Sequence, residues 1–142
     1  MIVHDRFTPG PVHIVKLPVG ADIVRTITEF AAEHGIEKAW VSYLGAVQRA
    51  SLRYYDQDAK KYRDFDIERH LEVLSGVGNI SLLDGKPFLH THAAFGDADG
   101  NAFGGHLNEG CRGFLIEVKI EELDGDALLR EFDEETGLAP WA

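Results

Sequence analysis

Cysteine is nearly missing from the 142 residues: Cys111 is the one thiol. A lone cysteine excludes an internal disulfide and any metal site built from several thiolates, and beside Gly110 it reads as a small packing residue. Basic residues are also scarce, with 14 Lys and Arg against 24 Asp and Glu and a formal net charge of −10 at pH 7. A field of that sign repels polyanions, and no cluster is denser than Lys60-Lys61-Tyr62-Arg63. DNA is therefore not an expected partner unless Lys60, Lys61, Arg63 and Arg53 gather on one face. The sequence shows no apolar run long enough to span a bilayer, no charged-then-apolar leader, no lipidation signal, no internal repeat and no low-complexity segment. The expectation is a cytoplasmic chain with no membrane partner.

What is present suffices for a core. Hydrophobic residues make up 44% of the chain, and its length is that of one domain, residues 1–142. The run VHIVKLPVG alternates Val12, Ile14 and Lys16 with His13, Val15 and Leu17, then stops at Pro18 and Gly20, which is a strand. Next, ADIVRTITEFAAEHG spaces Ile23, Ile27, Phe30, Ala31 and His34 for one helix, with Asp22 as N-cap and Gly35 past its end. From there the period is near two: KAWVSYLGAV, ASLRYYD, KKYRDFDI, HLEVLSGVGNISLL, PFLHTHAAF, NAFGGHL and GFLIEVKI each read as strands. In the last of these, Phe114, Ile116, Val118 and Ile120 form one apolar face. Turns fall at DQDAKK, LLDGKP and GDADGN, and Asp84-Gly85 is the dipeptide that type I′ turns favour. The fold class is α+β: a curved, largely antiparallel sheet with one main amphipathic helix. The tail ALLREFDEETGLAPWA fits a helix through Leu128, Leu129, Phe132 and Glu135 and a strand through Leu129, Glu131 and Asp133, while Leu138 and Trp141 suggest docking onto a neighbour.

Three of the seven histidines, His90, His92 and His106, crowd one hairpin. Residues two apart on a strand share a face, so His90 and His92 sit side by side. A five-residue tip, Asp97 to Asn101, sets Gly96 opposite Ala102 and brings His92 opposite His106. A four-residue tip turns His106 to the other face unless Gly104-Gly105 forms a bulge. Three neutral imidazoles on one divalent ion, with a position open, is the arrangement of an open zinc site, and nickel, copper, cobalt or iron accept the same ligands. Spacing equally fits two surface histidines on an edge strand and a third packed near a turn. Asp97, Asp99 and Asn101 imitate the start of a calcium loop, but Ala102 stands where glycine is needed and Asn108 where the bidentate Glu is needed, so a solvated turn with Asx hydrogen bonds is expected. His4, His13, His34 and His70 have no partner at ligand spacing.

The segments SYLGAVQRASLRYYD, LEVLSGVGNIS, DGKPFLHTHAAFGDADGNAFGGHLNEG and REFDEETGL together resemble the PPC domain, the family conserved between plants and prokaryotes, in the form of a prokaryotic stand-alone member. With the strand-helix opening, the resemblance covers nearly the whole chain. It implies a compact sandwich-like domain that assembles as a homotrimer. In prokaryotic members it implies a metal ion, usually taken as zinc, bound by the histidines of the H-x-H…GGH pattern, which fall on His90, His92 and His106. Related domains of plant nuclear proteins follow AT-hook motifs that bind the DNA, but no Arg-Gly-Arg core occurs in this sequence. The resulting expectation is a metal-binding homotrimer whose ion takes a protein or small-molecule ligand. A zinc-dependent hydrolase is the alternative, with Asp97, Asp99 and Glu109 as candidates for the base, and a DNA-binding regulatory protein is a further one.

Overall fold

The structure, a computed structural model, describes residues 2–142. Strand β1 (Thr8–Lys16) leads to helix α1 (Ile23–Glu33), then β2 (Ala39–Asp56), β3 (Lys61–Ile67), β4 (Leu71–Leu83), β5 (Lys86–Gly96), β6 (Ala102–Leu107), β7 (Arg112–Asp124) and β8 (Leu129–Arg130). The α+β expectation, a largely antiparallel curved sheet with one helix, holds. Sheet order is β1-β7-β2-β6-β5-β4-β8, with β3 on β2. Because β2 also pairs with β4, the circuit β2-β4-β5-β6 closes on itself.

The helix forms where its sequence starts and stops it. The Asp22 carboxylate accepts from the Arg25 N–H, capping the first turn, and Gly35 ends the last turn at φ 67°. Ile23, Ile27 and Ala31, one turn apart, are buried against the inner sheet face together with Val41, Leu52, Ile80, Phe95, Ile116 and Ile120. Asp22 also accepts from the Gly110 N–H, tying the helix start to the turn before Cys111. Cys111 is fully buried, its Sγ accepting from the Ser51 N–H at 3.1 Å, which is the packing role expected of it.

Three expectations change in detail. KAWVSYLGAV and ASLRYYD are one 18-residue strand, not two, because irregularities between Tyr43 and Arg49 bend β2 without ending it. Phe114 leaves the apolar face of β7: Leu115 pairs with Ala46 and Gly113 with Val47, so Phe114 is the extra residue of a bulge and is exposed. The tail is neither the helix nor the long strand that its spacing allowed. Leu129 and Arg130 run parallel to Leu82 and Leu83, and the chain then folds back as a hairpin through the bridges Asp133↔Leu138 and Arg130↔Trp141. Asp133 drives that turn, its carboxylate accepting from the Thr136 N–H and hydroxyl. Asp84 and Gly85, at φ 51° and 72°, make the tight turn that their dipeptide announces.

Candidate metal centre

Strand β5 alternates as its sequence demands. Leu89, Thr91, Ala93 and Phe95 point to the core, leaving His90, His92 and Ala94 on the outer face, away from α1. The β5–β6 hairpin has the five-residue tip, and its register pairs Gly96 with Ala102, Ala94 with Gly104 and His92 with His106. No bulge intervenes between the two strands. Gly104 has a different role, close approach: a Cβ there would lie 2.2 Å from the Ala93 carbonyl oxygen.

The three imidazoles therefore meet on one surface. Their ring centroids are 5.1–5.2 Å apart, Nε2 of His90 and of His92 are 3.3 Å apart, and one nitrogen from each ring falls within 4.8 Å of the others. That is the spacing of donors converging on one ion, and a neutral imidazole nitrogen is a donor zinc and its neighbours accept. His90 and His106 are half-buried and His92 is exposed. Burial, and then the Arg130 guanidinium and His92, pulls His90 down to about 4. Burial followed by the other two histidines and Arg53 brings His106 to about 4. Both rings are thus neutral at pH 7, with lone pairs free to ligate.

His90 and His106 line one end of a cavity of about 640 Å³, and His92 stands outside its lining. Its wall is built by elements distant in sequence. From β2 comes Arg53, opposite His106 in register and held by a two-point ion pair to Asp64 at 3.0 and 3.1 Å. Tyr62 on β3 lies over the Arg53 guanidinium at 4.4 Å and beside the His106 ring at 5.5 Å. The tail hairpin closes the far side with Leu138, Pro140 and Trp141, secured by Tyr55 Oη donating to the Thr136 carbonyl and Lys60 Nζ to the Glu134 carbonyl. The tail thus docks on its own chain. Arg130 enters the cavity between Phe88 and Trp141, donating from Nε to Ser81 Oγ (2.7 Å), from Nη2 to Asn79 Oδ1 (2.8 Å) and from Nη1 to the Ala139 carbonyl (2.9 Å).

The other candidates lie elsewhere. Asp97 closes the hairpin tip, accepting from the Asp99 and Asn101 N–H groups and the Asn101 amide, and the Asn101 side-chain bond is the main reason its carboxyl titrates below the usual range. Its oxygens serve the turn, as an Asx turn requires, so the calcium-like pattern is structural. Asp99 is exposed at the same tip, and Glu109 sits 4.0 Å from Arg25 near the helix start. None of the three lines the cavity, and no carboxylate does. His13 bonds Glu122 at 2.6 Å, and His34 stacks on Phe30 at 4.0 Å. Arg130 and Tyr62 escaped the reading of the sequence as site residues, and Trp141 was marked there only for docking. The one available signal was an arginine in an otherwise acidic and apolar tail.

Comparison with known proteins places the fold. A family model of the Plants and Prokaryotes Conserved (PCC) domain matches residues 4–124, and the chain belongs to that family, as the PPC resemblance implied. The crystal structure of a metal-containing protein from Archaeoglobus fulgidus is 42% identical, with a TM-score of 0.94 over 99% of each chain. A plant- and prokaryote-conserved protein from Pyrococcus horikoshii is 32% identical, with a TM-score of 0.93 over 99% of this chain and 97% of that one. Among curated proteins, the bifunctional protein GlmU of a Synechococcus strain is 32% identical over 122 residues; the match spans 85% of this chain but 18% of that protein's length.

Proposed function

We propose that this PCC-domain chain acts as one domain and as a homotrimeric metal-binding module, with His90, His92 and His106 holding zinc or another divalent transition metal. The observation that carries the reading is the convergence of three imidazole nitrogens within 4.8 Å beside a cavity. The similar Archaeoglobus fulgidus structure, of a protein described as metal-containing, supports it. Bound there, the ion supplies a Lewis-acidic position left open to a protein or small-molecule ligand. The residues do the rest: the β5–β6 register presents His92 and His106 together, Tyr62 packs against the His106 ring, and the tail hairpin walls one side of the cavity. Replacing the exposed His92 tests the site with least damage to the fold. His92→Ala is expected to lose stoichiometric metal while keeping its far-UV circular dichroism, and unchanged metal content would overturn the assignment.

Self-association has its own support. Ile14 (77% exposed), Leu44 (55%) and Leu74 (55%) border one shallow depression on the outer sheet face, an apolar surface that α1, on the opposite face, does not cover. A cytoplasmic setting fits the single buried thiol. Among the described residues no helix is long and apolar enough to cross a membrane.

Two other readings are weaker. Hydrolysis at a zinc-bound water calls for a base within hydrogen-bonding reach of the ion or one water away, and the cavity lining holds no carboxylate. DNA binding calls for free cations on one face, yet Arg53 is paired with Asp64 and Arg63 faces Asp56 at 3.9 Å.

A further inference from the structure

Arg130 is a cation without a counter-ion. Its three hydrogen bonds all go to neutral oxygens, Ser81 Oγ, Asn79 Oδ1 and the Ala139 carbonyl, and no carboxylate is within ion-pair distance among the described residues. A guanidinium has five N–H donors, so two remain to be satisfied. Phe88 and Trp141 flank its faces at 5.5 and 5.7 Å, which fixes the plane of the fork. In a chain of net charge −10, with 24 acidic side chains available, the remaining arginine of this cavity, Arg53, is neutralised by Asp64 and Arg130 is not. Arg130 is half-buried, and a partly desolvated cation without a counter-ion favours an anion beside it.

We infer that the cavity receives a small organic monocarboxylate, its carboxylate engaged by the Arg130 fork and directed toward the three-histidine centre, and its apolar body lying against Phe88, Leu138, Pro140 and Trp141. The inference rests on the metal-centre reading for the second anchor of the ligand, and on Arg130 alone for the first. The volume of about 640 Å³ is that of a small-molecule site. One unpaired cation matches one negative charge, and the apolar wall disfavours a free phosphate dianion, which needs more donors than two N–H groups provide. His90 and Arg130 are joined through Asn79, which pairs with His90 across β4 and β5 and accepts from Arg130, so the two anchors are set by the same strand register.

Benzoate is the probe, and benzamide its neutral isostere. Isothermal titration of the zinc-loaded protein is expected to show benzoate binding at least tenfold tighter than benzamide and than inorganic phosphate. Arg130→Gln is expected to lose at least tenfold in benzoate affinity with zinc content unchanged, and Arg130→Lys to recover part of it. Equal affinity for benzoate and benzamide in the wild-type protein would overturn the inference, as would a stronger preference for phosphate; neither comparison depends on a variant that has to fold. If the wild-type protein takes up no zinc yet keeps a benzoate preference that Arg130→Gln abolishes, the metal reading fails and the Arg130 site stands. If zinc binds and benzoate does not, the reverse holds.

Discussion

Acid should destabilise the metal-free protein specifically through His90 and His106. Each imidazole has an ordinary value of 6.5 and is held at about 4 in the folded chain, by burial first. The folded state therefore binds fewer protons than the unfolded state between those values, so stability contributed above pH 6.5 is lost as pH falls toward 4. Moving from pH 7 to pH 5 would remove about 2 kcal/mol per group for a fully buried ring. Both rings are half-buried, and solvent screening reduces that to about 1 kcal/mol each, or about 2 kcal/mol together. With a urea m-value of about 2 kcal/mol/M, the midpoint should fall by about 1 M more in the wild-type protein than in His90→Gln/His106→Gln. The assay is urea unfolding followed by tryptophan fluorescence, in chelator and at one protein concentration, at pH 7 and pH 5. Parallel losses in the two proteins would refute the reasoning, because the many surface carboxylates are common to both. Metal-loaded protein should release its ion over the same acid range.

Gly76→Ala should be severely destabilising: its Cβ would fall 2.1 Å from the Tyr43 ring, whose hydroxyl bonds Thr91 at 2.9 Å inside the core. A loss of about 3 kcal/mol or more is expected in chemical denaturation, and wild-type stability would show that the ring moves aside freely. Asp22→Ala removes both the helix cap and the acceptor of the Gly110 N–H, which should cost about 1–2 kcal/mol; a midpoint within error of wild type would contradict the tie between α1 and the Gly110 turn. Tyr62→Ala strips the packing from His106 and Arg53 and should weaken metal affinity while leaving His90 and His92 in place. Metal titration of that variant checks the point, and an unchanged affinity would mean that Tyr62 does not orient the ring.

The β5–β6 hairpin could be read from the sequence because its information is local. A tip of five residues and a side-chain period of two fix which residues face each other, and His92 opposite His106 follows from counting. The helix was legible for the same reason, with Asp22 and Gly35 marking its ends. Phe114 was misassigned because alternation cannot reveal a bulge, which depends on how the neighbouring strand bends. The cavity wall was out of reach altogether. Arg130 meets Asn79 and Ser81 from about fifty residues away, and the tail that carries it fits a helical and a strand spacing alike, neither of which exposes its fold-back. Its turn is set by one carboxylate, Asp133, bonding its own backbone, a weak signal in a stretch with several acidic residues.

Native mass spectrometry of untagged protein, with elemental analysis of the same sample, tests the central claim most directly. The account predicts a homotrimer carrying about one transition-metal ion per chain, lost in His92→Ala. Wild-type protein that stays metal-free when dialysed against zinc would contradict it, and would leave His90, His92 and His106 as neighbours on a strand face and nothing more.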